Sequence, residues 1–281
     1  MSDTDPPITV TPIAGSLGAE ISGVDLNRDL NDRTVADIRQ ALLDHLVIFF
    51  RDQDISPERH LAFARRFGTP VAYPLVKGID GFPEIVPILK LEHETVNFGG
   101  LWHSDTTYRE EPPLGSILLA RELPPFGGDT LFANMYQAYE GLSVGMKRML
   151  ETVKAVNSSE NPLAKSTRQA RLDDRGKMPA ETVLEALHPV VRTHPETGRK
   201  ALYINPGHTV RFEDMTEEES APLLAYLYQQ QIKPEYTCRF VWQPGSIAFW
   251  DNRSCQHNPI NDYHGYKRLL HRITLEGDRP A

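Results

Sequence analysis

Short runs of β-branched and aromatic residues recur along this chain: Val47 to Phe50, Glu84 to Leu91, Ser116 to Ala120, Val190 to Thr193, Ala201 to Ile204, Tyr236 to Trp242, Ile247 to Trp250 and Leu269 to Leu275. Such side chains lose less freedom on a pleated surface than in a helix, so each run is expected to be a strand. Turn signals such as Gly127-Gly128 and Pro244-Gly245 bound several of them. Many short strands with a few covering helices suggest a jelly-roll sandwich in an α+β setting, although periodicity alone does not choose it over other mixed folds.

Helices are expected where a start signal meets a 3.6-residue apolar period. Asn31 can cap a segment with Val35, Ile38, Leu42 and Leu46 on one face, and Ser56-Pro57 opens another carrying Leu61, Phe63 and Phe67. Thr216 with Glu219 forms a capping box ahead of Leu223, Leu224, Leu227 and Tyr228. No linker or internal repeat divides the 281 residues, so residues 1–281 are expected to form a single domain.

Several function classes are disfavoured at once. A net charge of −8 would repel a phosphate backbone, so no nucleic-acid partner is expected. No run approaches the roughly 18 apolar residues of a membrane span. The start, MSDTDPPITV, lacks the basic and apolar regions of a signal peptide, and a cytoplasmic protein is expected. Two cysteines, Cys238 and Cys255, provide neither a disulfide framework nor a four-cysteine zinc site. Cys255 reads better as a small buried apolar side chain than as a ligand. A small molecule is the expected partner.

His103 and Asp105 lie at i and i+2, which on an extended strand places both side chains on one face, where they can grip one metal ion. With ten histidines in the chain, such a pair arises by chance too readily to carry an argument alone. His257, far along the chain, supplies a third donor. Two imidazoles and one carboxylate leave three coordination positions open on one side, the arrangement of non-haem Fe(II) oxygenases. Near the C-terminus Arg268, Leu270, Arg272 and Thr274 fall on one face of a strand. The two guanidiniums, about 13 Å apart along that strand, read either as solvated surface charge or as seats for two anions.

Beyond these residues, Gly18 to Leu26, Arg66-Phe67-Gly68, Trp102-His103-Ser104-Asp105, Gly127-Gly128-Asp129-Thr130, His188 to Pro195, Phe249 to Arg253 and His271-Arg272 follow one another in a fixed order. In this the chain resembles the taurine and 2,4-dichlorophenoxyacetate (TauD/TfdA) dioxygenase family over nearly its whole length. The resemblance implies a double-stranded β-helix (jelly-roll, cupin-like) core with flanking helices, Fe(II) held by His103, Asp105 and His257, and 2-oxoglutarate and O2 as cosubstrates. Thr130 and Arg268 match residues that bind the distal carboxylate of 2-oxoglutarate, and Arg272 matches one that faces an anionic group on the substrate. A homo-oligomer, dimer or tetramer, is expected on the same ground.

Departures from the family pattern bear on the substrate. Tyr73 stands where taurine-specific members have a histidine, Gly99 where they have an asparagine, and His208 where an aromatic closes the pocket. Losing two polar contacts argues against taurine itself. The expected reaction is hydroxylation of a small sulfonate, alkyl sulfate or aryloxyalkanoate with release of succinate and CO2. Asp105 favours that outcome, because related halogenases lack the carboxylate.

Two other readings compete. A non-catalytic jelly roll that binds small molecules is permitted by the fold, yet it would not need the metal ligands with Thr130 and Arg268. A zinc hydrolase could use the same three donors but not an arginine matched to a cosubstrate carboxylate. Lys165, Arg168, Arg171 and Arg175, at helical spacing, read as a solvated face or as an anion-attracting lid around 157–185.

Overall fold

Along the chain come strands β1 (Thr9–Pro12) and β2 (Ala19–Ser22), helix α1 (Asp32–His45), β3 (Val47–Phe50), α2 (Pro57–Arg65), β4 (Pro70–Val71) and β5 (Ile85–Lys90). Then follow β6 (Gly115–Glu122), β7 (Thr130–Asn134), α3 (Met135–Glu140), α4 (Val144–Leu150) and β8 (Lys154–Ser158). The remainder contributes β9 (Glu185–Pro189), β10 (Val191–Thr193), β11 (Lys200–Leu202), β12 (Thr209–Phe212), α5 (Glu217–Gln231), β13 (Thr237–Phe240), β14 (Ile247–Asp251), β15 (Cys255–Pro259) and β16 (Arg268–Leu275). The structure is a computed structural model that describes residues 7–73, 77–165 and 183–281. The mixture of sheets and covering helices is α+β.

Eight strands form one sheet in the order β1-β2-β3-β14-β6-β16-β4, with β5 also paired to β16. Side chains of successive residues point to opposite faces, and here both faces are buried. Ile48, Phe50, Ile117, Phe249 and Ile273 pack on one side with Ile38 and Leu42 of α1 and Leu61 and Phe63 of α2. Phe49, Leu118, Trp250 and Leu270 pack on the other with Phe132 and Phe240 of the three-stranded sheet β13-β7-β15. That double burial explains why Val47 to Phe50 is apolar throughout rather than alternating. Phe49 stacks on Phe240 with ring centroids 3.9 Å apart and meets Phe132 edge-on at 5.7 Å. Cutting Phe49 back to alanine at this junction would cost about 3–5 kcal/mol.

The helix starts follow the expected chemistry. Asn31 accepts from the Thr34 N–H and Ser56 from the Arg59 N–H, while Thr216 and Glu219 complete both bonds of the capping box. Strand bounds differ more. Tyr236 closes a 3-10 turn (Pro234–Tyr236) before β13 starts, and Trp242 lies beyond its end. Strands β7, β8, β12 and β15, which carry polar residues such as Asn134, Asn157, Arg211 and Gln256, have no apolar run to announce them. Of the segment read as a lid, residues 166–182, with Arg168, Arg171 and Arg175, lie outside the described residues; Lys165 pairs with Glu160. Among the described residues no helix is long and apolar enough to cross a membrane.

Candidate active site

His103 and Asp105 do not lie on a regular strand, contrary to the expectation from their spacing. His103 makes an isolated bridge to His257 of β15, its N–H donating to the His257 carbonyl at 3.0 Å and its carbonyl accepting at 2.9 Å. The chain then turns, with the β-branched Thr106 at φ 43°. Such backbone costs on the order of 1–3 kcal/mol and recurs where a site dictates the geometry. Register therefore brings the distant donors together: among the described residues, ligand atoms of His103, Asp105 and His257 all lie within 4.8 Å of one another, and the three side chains are buried.

The protonation states suit a divalent cation. His103 Nδ1 lies 2.8 Å from the Leu101 carbonyl, which can only accept. That bond puts the proton on Nδ1 and leaves Nε2 as a donor to metal. Burial pushes both imidazoles toward the neutral form, and for His257 the neighbouring His103 adds to the effect. His257 Nδ1 is buried with no hydrogen-bond partner among the described residues. Burial works against the charge of Asp105, but Arg272 and the two imidazoles outweigh it and hold its carboxyl well below the usual carboxylate range.

Asp105 is fixed by groups that motif reasoning had not singled out. Its Oδ2 accepts from the Ser116 hydroxyl at 2.8 Å and from Asn252 Nδ2 at 3.3 Å. Asn252 Oδ1 in turn accepts from the Asp105 N–H and from Trp250 Nε1. Behind them Asp251 binds His194 at 3.0 Å and Arg253 at 2.6 and 2.8 Å, which ties the β14–β15 turn to the body of the protein. The sequence signal was present in the Trp250 to Arg253 block; the partners were not legible without the fold.

Two guanidiniums flank the cluster on the predicted face of β16. Arg268 and Arg272 are each 4% exposed, yet among the described residues Nε and Nη2 of both have no hydrogen-bond partner. A buried cation with unused donors is costly unless an anion completes it. Arg268 lies against Trp242 and Tyr263, and Trp242 Nε1 donates to Thr130 Oγ1 at 3.0 Å. Arg272 lies 4.8 Å from the Tyr73 ring centroid and 5.4 Å from that of Phe98. Thr130, Arg268, Arg272, His103 and His257 all line one pocket.

Gly99 has φ +68°, and a Cβ there would come 2.8 Å from His103 Cε1. The absence of an asparagine at this position is thus steric as well as chemical: the backbone itself presses on the imidazole. His208 is near His103, with rings 6.1 Å apart and edge to face, and its Nδ1 lies 3.2 Å from Thr107 Oγ1. Gly99, His208 and Arg272 therefore border the cluster, while Tyr73 reaches it only through Arg272.

The donor set fits Fe(II), since two imidazoles and one carboxylate on one side leave positions for exchangeable ligands. The model of the family described as "Taurine catabolism dioxygenase TauD, TfdA family" matches residues 9–274. An alpha-ketoglutarate-dependent sulfate ester dioxygenase of Pseudomonas putida is 37% identical over 98% of this chain and 91% of that protein. An alkylsulfatase of Acinetobacter baylyi is 38% identical over 95% of this chain and 84% of its own length. Among solved structures, a taurine dioxygenase from Burkholderia xenovorans superimposes with a TM-score of 0.82 at 38% identity, covering 98% of this chain and 91% of that one.

Proposed function

The chain belongs to the TauD, TfdA dioxygenase family, and from that premise we propose that it oxidises a small organic anion, a sulfonate, alkyl sulfate or aryloxyalkanoate, with release of succinate and CO2. It is a 2-oxoglutarate-dependent dioxygenase that needs Fe(II) and O2. The observation that carries the substrate reading is the pair of buried guanidiniums with Nε and Nη2 unpartnered among the described residues, lining the same pocket as His103 and His257.

His103, Asp105 and His257 hold the metal, which supplies the site for cosubstrate and O2 chemistry when bound. Arg268 and the Thr130 hydroxyl take the distal carboxylate of 2-oxoglutarate, Arg268 through the donors it leaves unused. Arg272 takes the anionic group of the substrate and so sets which carbon faces the metal. Tyr73 and Phe98 wall this seat with aromatic surface, which favours an apolar chain or ring next to the anion. Gly99 leaves no side chain there to hydrogen-bond a polar group of taurine, and the His208 ring meets that of His103 edge to face. These features favour sulfate esters, other sulfonates and aryloxyalkanoates over taurine, and for sulfate esters this agrees with the sulfate ester dioxygenase and the alkylsulfatase to which the chain is similar.

The facing of the eight-stranded sheet by β13-β7-β15 supports a double-stranded β-helix as the core. One oxygenase domain spans the chain in this reading, in the cytoplasm.

The test is a screen for succinate release over alkyl sulfates, alkylsulfonates and aryloxyalkanoates, with Fe(II) against Zn(II) and with Arg272→Ala as control. Fe(II)-dependent turnover of one anionic class, lost in Arg272→Ala, is the expected outcome. Equal turnover of neutral and anionic compounds, indifferent to Arg272, would overturn the substrate assignment.

A further inference from the structure

Lys90 ends β5 at 2% exposure, lines the pocket described above, and its Nζ is buried with no hydrogen-bond partner among the described residues. In the antiparallel pairing of β5 with β16 its direct partner is Arg268. Residues directly opposite share a sheet face with Cβ atoms about 4.5–5.5 Å apart, and two like charges in that relation repel. One aromatic ring confirms the closeness: Lys90 Nζ lies 4.6 Å from the Tyr263 centroid, and the Arg268 guanidinium carbon 5.8 Å from it. Glu94 acts on Lys90 and Asp129 on Arg268 through their charge, and each carboxylate also serves another partner. Asp129 Oδ2 accepts from Arg239 Nε at 2.6 Å, and Glu94 accepts from the Leu91 N–H.

Tyr263 and Asp129 act on Arg268, yet Lys90 Nζ and the Nε and Nη2 of Arg268 have no hydrogen-bond partner among the described residues, and an anion seated between the two cations would use these donors and offset their repulsion. We propose that Lys90 is the second cation of the distal-carboxylate seat, so that 2-oxoglutarate is clamped by Lys90, Arg268 and Thr130 together. The inference rests on the cosubstrate assignment made above for Arg268 and adds to it a residue that no motif marks. Lys90 serves the cosubstrate end and not the substrate end because of register: the partner of Arg272 on β5 is Val86, four residues away. Burial lowers the pKa of the Lys90 ammonium, against the pull of Glu94, and a carboxylate bound beside it would oppose that shift.

The experiment measures ligand affinity by titration calorimetry on the Fe(II)-loaded protein without dioxygen. The ligands are 2-oxoglutarate, 2-oxobutyrate, which keeps the chelating end but lacks the distal carboxylate, and an alkyl sulfate. Lys90→Met keeps the apolar stem and removes the charge. It is expected to weaken 2-oxoglutarate about 10- to 100-fold, the range for a hydrogen bond to a charged group, and to leave 2-oxobutyrate and the sulfate unchanged; Lys90→Arg restores part of the loss. Equal weakening of 2-oxoglutarate and 2-oxobutyrate would mark a structural role, and weakening of the sulfate alone would put Lys90 in the substrate seat; either result overturns the proposal. Wild-type protein that binds no 2-oxoglutarate sinks the cosubstrate reading as a whole, whereas wild-type binding that Lys90→Met leaves intact sinks only this inference.

Discussion

Arg272 Nη1 lies 3.3 Å from Asp105 Oδ1, both side chains buried. One guanidinium therefore touches a carboxylate of the candidate metal cluster while its Nε and Nη2 have no hydrogen-bond partner among the described residues. On the proposed roles, substrate charge and metal ligand would be coupled through a single planar group, which lysine could not reproduce because it lacks the fork.

Arg272→Lys is accordingly expected to raise KM for the anionic substrate by about 10- to 100-fold, corresponding to about 1.5–3 kcal/mol for a charge-assisted hydrogen bond. Metal affinity should fall less, since Asp105 keeps Ser116 and Asn252. Steady-state kinetics together with a metal titration separate the two effects. An unchanged KM would contradict the placement of the substrate anion on Arg272.

Gly99→Ala tests the close approach of backbone to imidazole. The variant adds a Cβ 2.8 Å from His103 Cε1 at φ +68°, so the ring or the loop must move. Strain of this kind costs on the order of 1–3 kcal/mol. Both a lower Tm and weaker metal binding are expected, read by calorimetry and by Mn(II) titration; a variant with native metal affinity would show that the loop relaxes freely.

Asn252→Ala removes the group that bonds both the Asp105 carboxylate and the Asp105 N–H, and leaves Trp250 Nε1 without its partner. Groups behind metal ligands typically contribute 10- to 100-fold in metal affinity, and roughly that loss is expected here. Asn252→Asp should not rescue it, because a second carboxylate facing Asp105 would repel it. Full metal affinity in Asn252→Ala would show that Ser116 and Arg272 suffice to orient Asp105.

His60 is fully buried on α2, and burial, with smaller contributions from Arg121 and His271, lowers its pKa to about 3. In the unfolded chain it titrates near its ordinary value of 6.5. Between those values the unfolded state binds a proton that the folded state refuses, so stability rises with pH across that window and is lost as pH falls through it. Denaturant unfolding at pH 7 and pH 5 should show the loss, and His60→Leu should flatten it. A slope unaffected by the substitution would assign the acid sensitivity to other histidines, such as His271, lowered to about 4 by burial and Arg121.

Much of this protein was legible before any coordinates. Strand β3 was expected at the bounds it has, because the run Val47 to Phe50 is made of β-branched and aromatic residues that favour a pleated surface. The helix starts at Asn31, Ser56 and Thr216 were readable because capping is local chemistry between residues three apart. The side-chain alternation that puts Arg268 and Arg272 on one face is likewise a property of any strand. Polar strands such as β15 were not legible, since His257 and Gln256 break the apolar pattern from which strands are read, and their pairing with β7 is long-range.

Sequence alone thus determined which chemical groups the chain owns: two imidazoles, a carboxylate and two arginines in a recognisable order. Only the tertiary structure decided their company, because convergence of residues 103 and 257 depends on a single backbone bridge between distant segments. The same holds for Ser116 and Asn252 behind Asp105 and for Lys90 opposite Arg268. Register is a global property of how sheets pair, and a shift of one residue would turn each of these side chains to the other face.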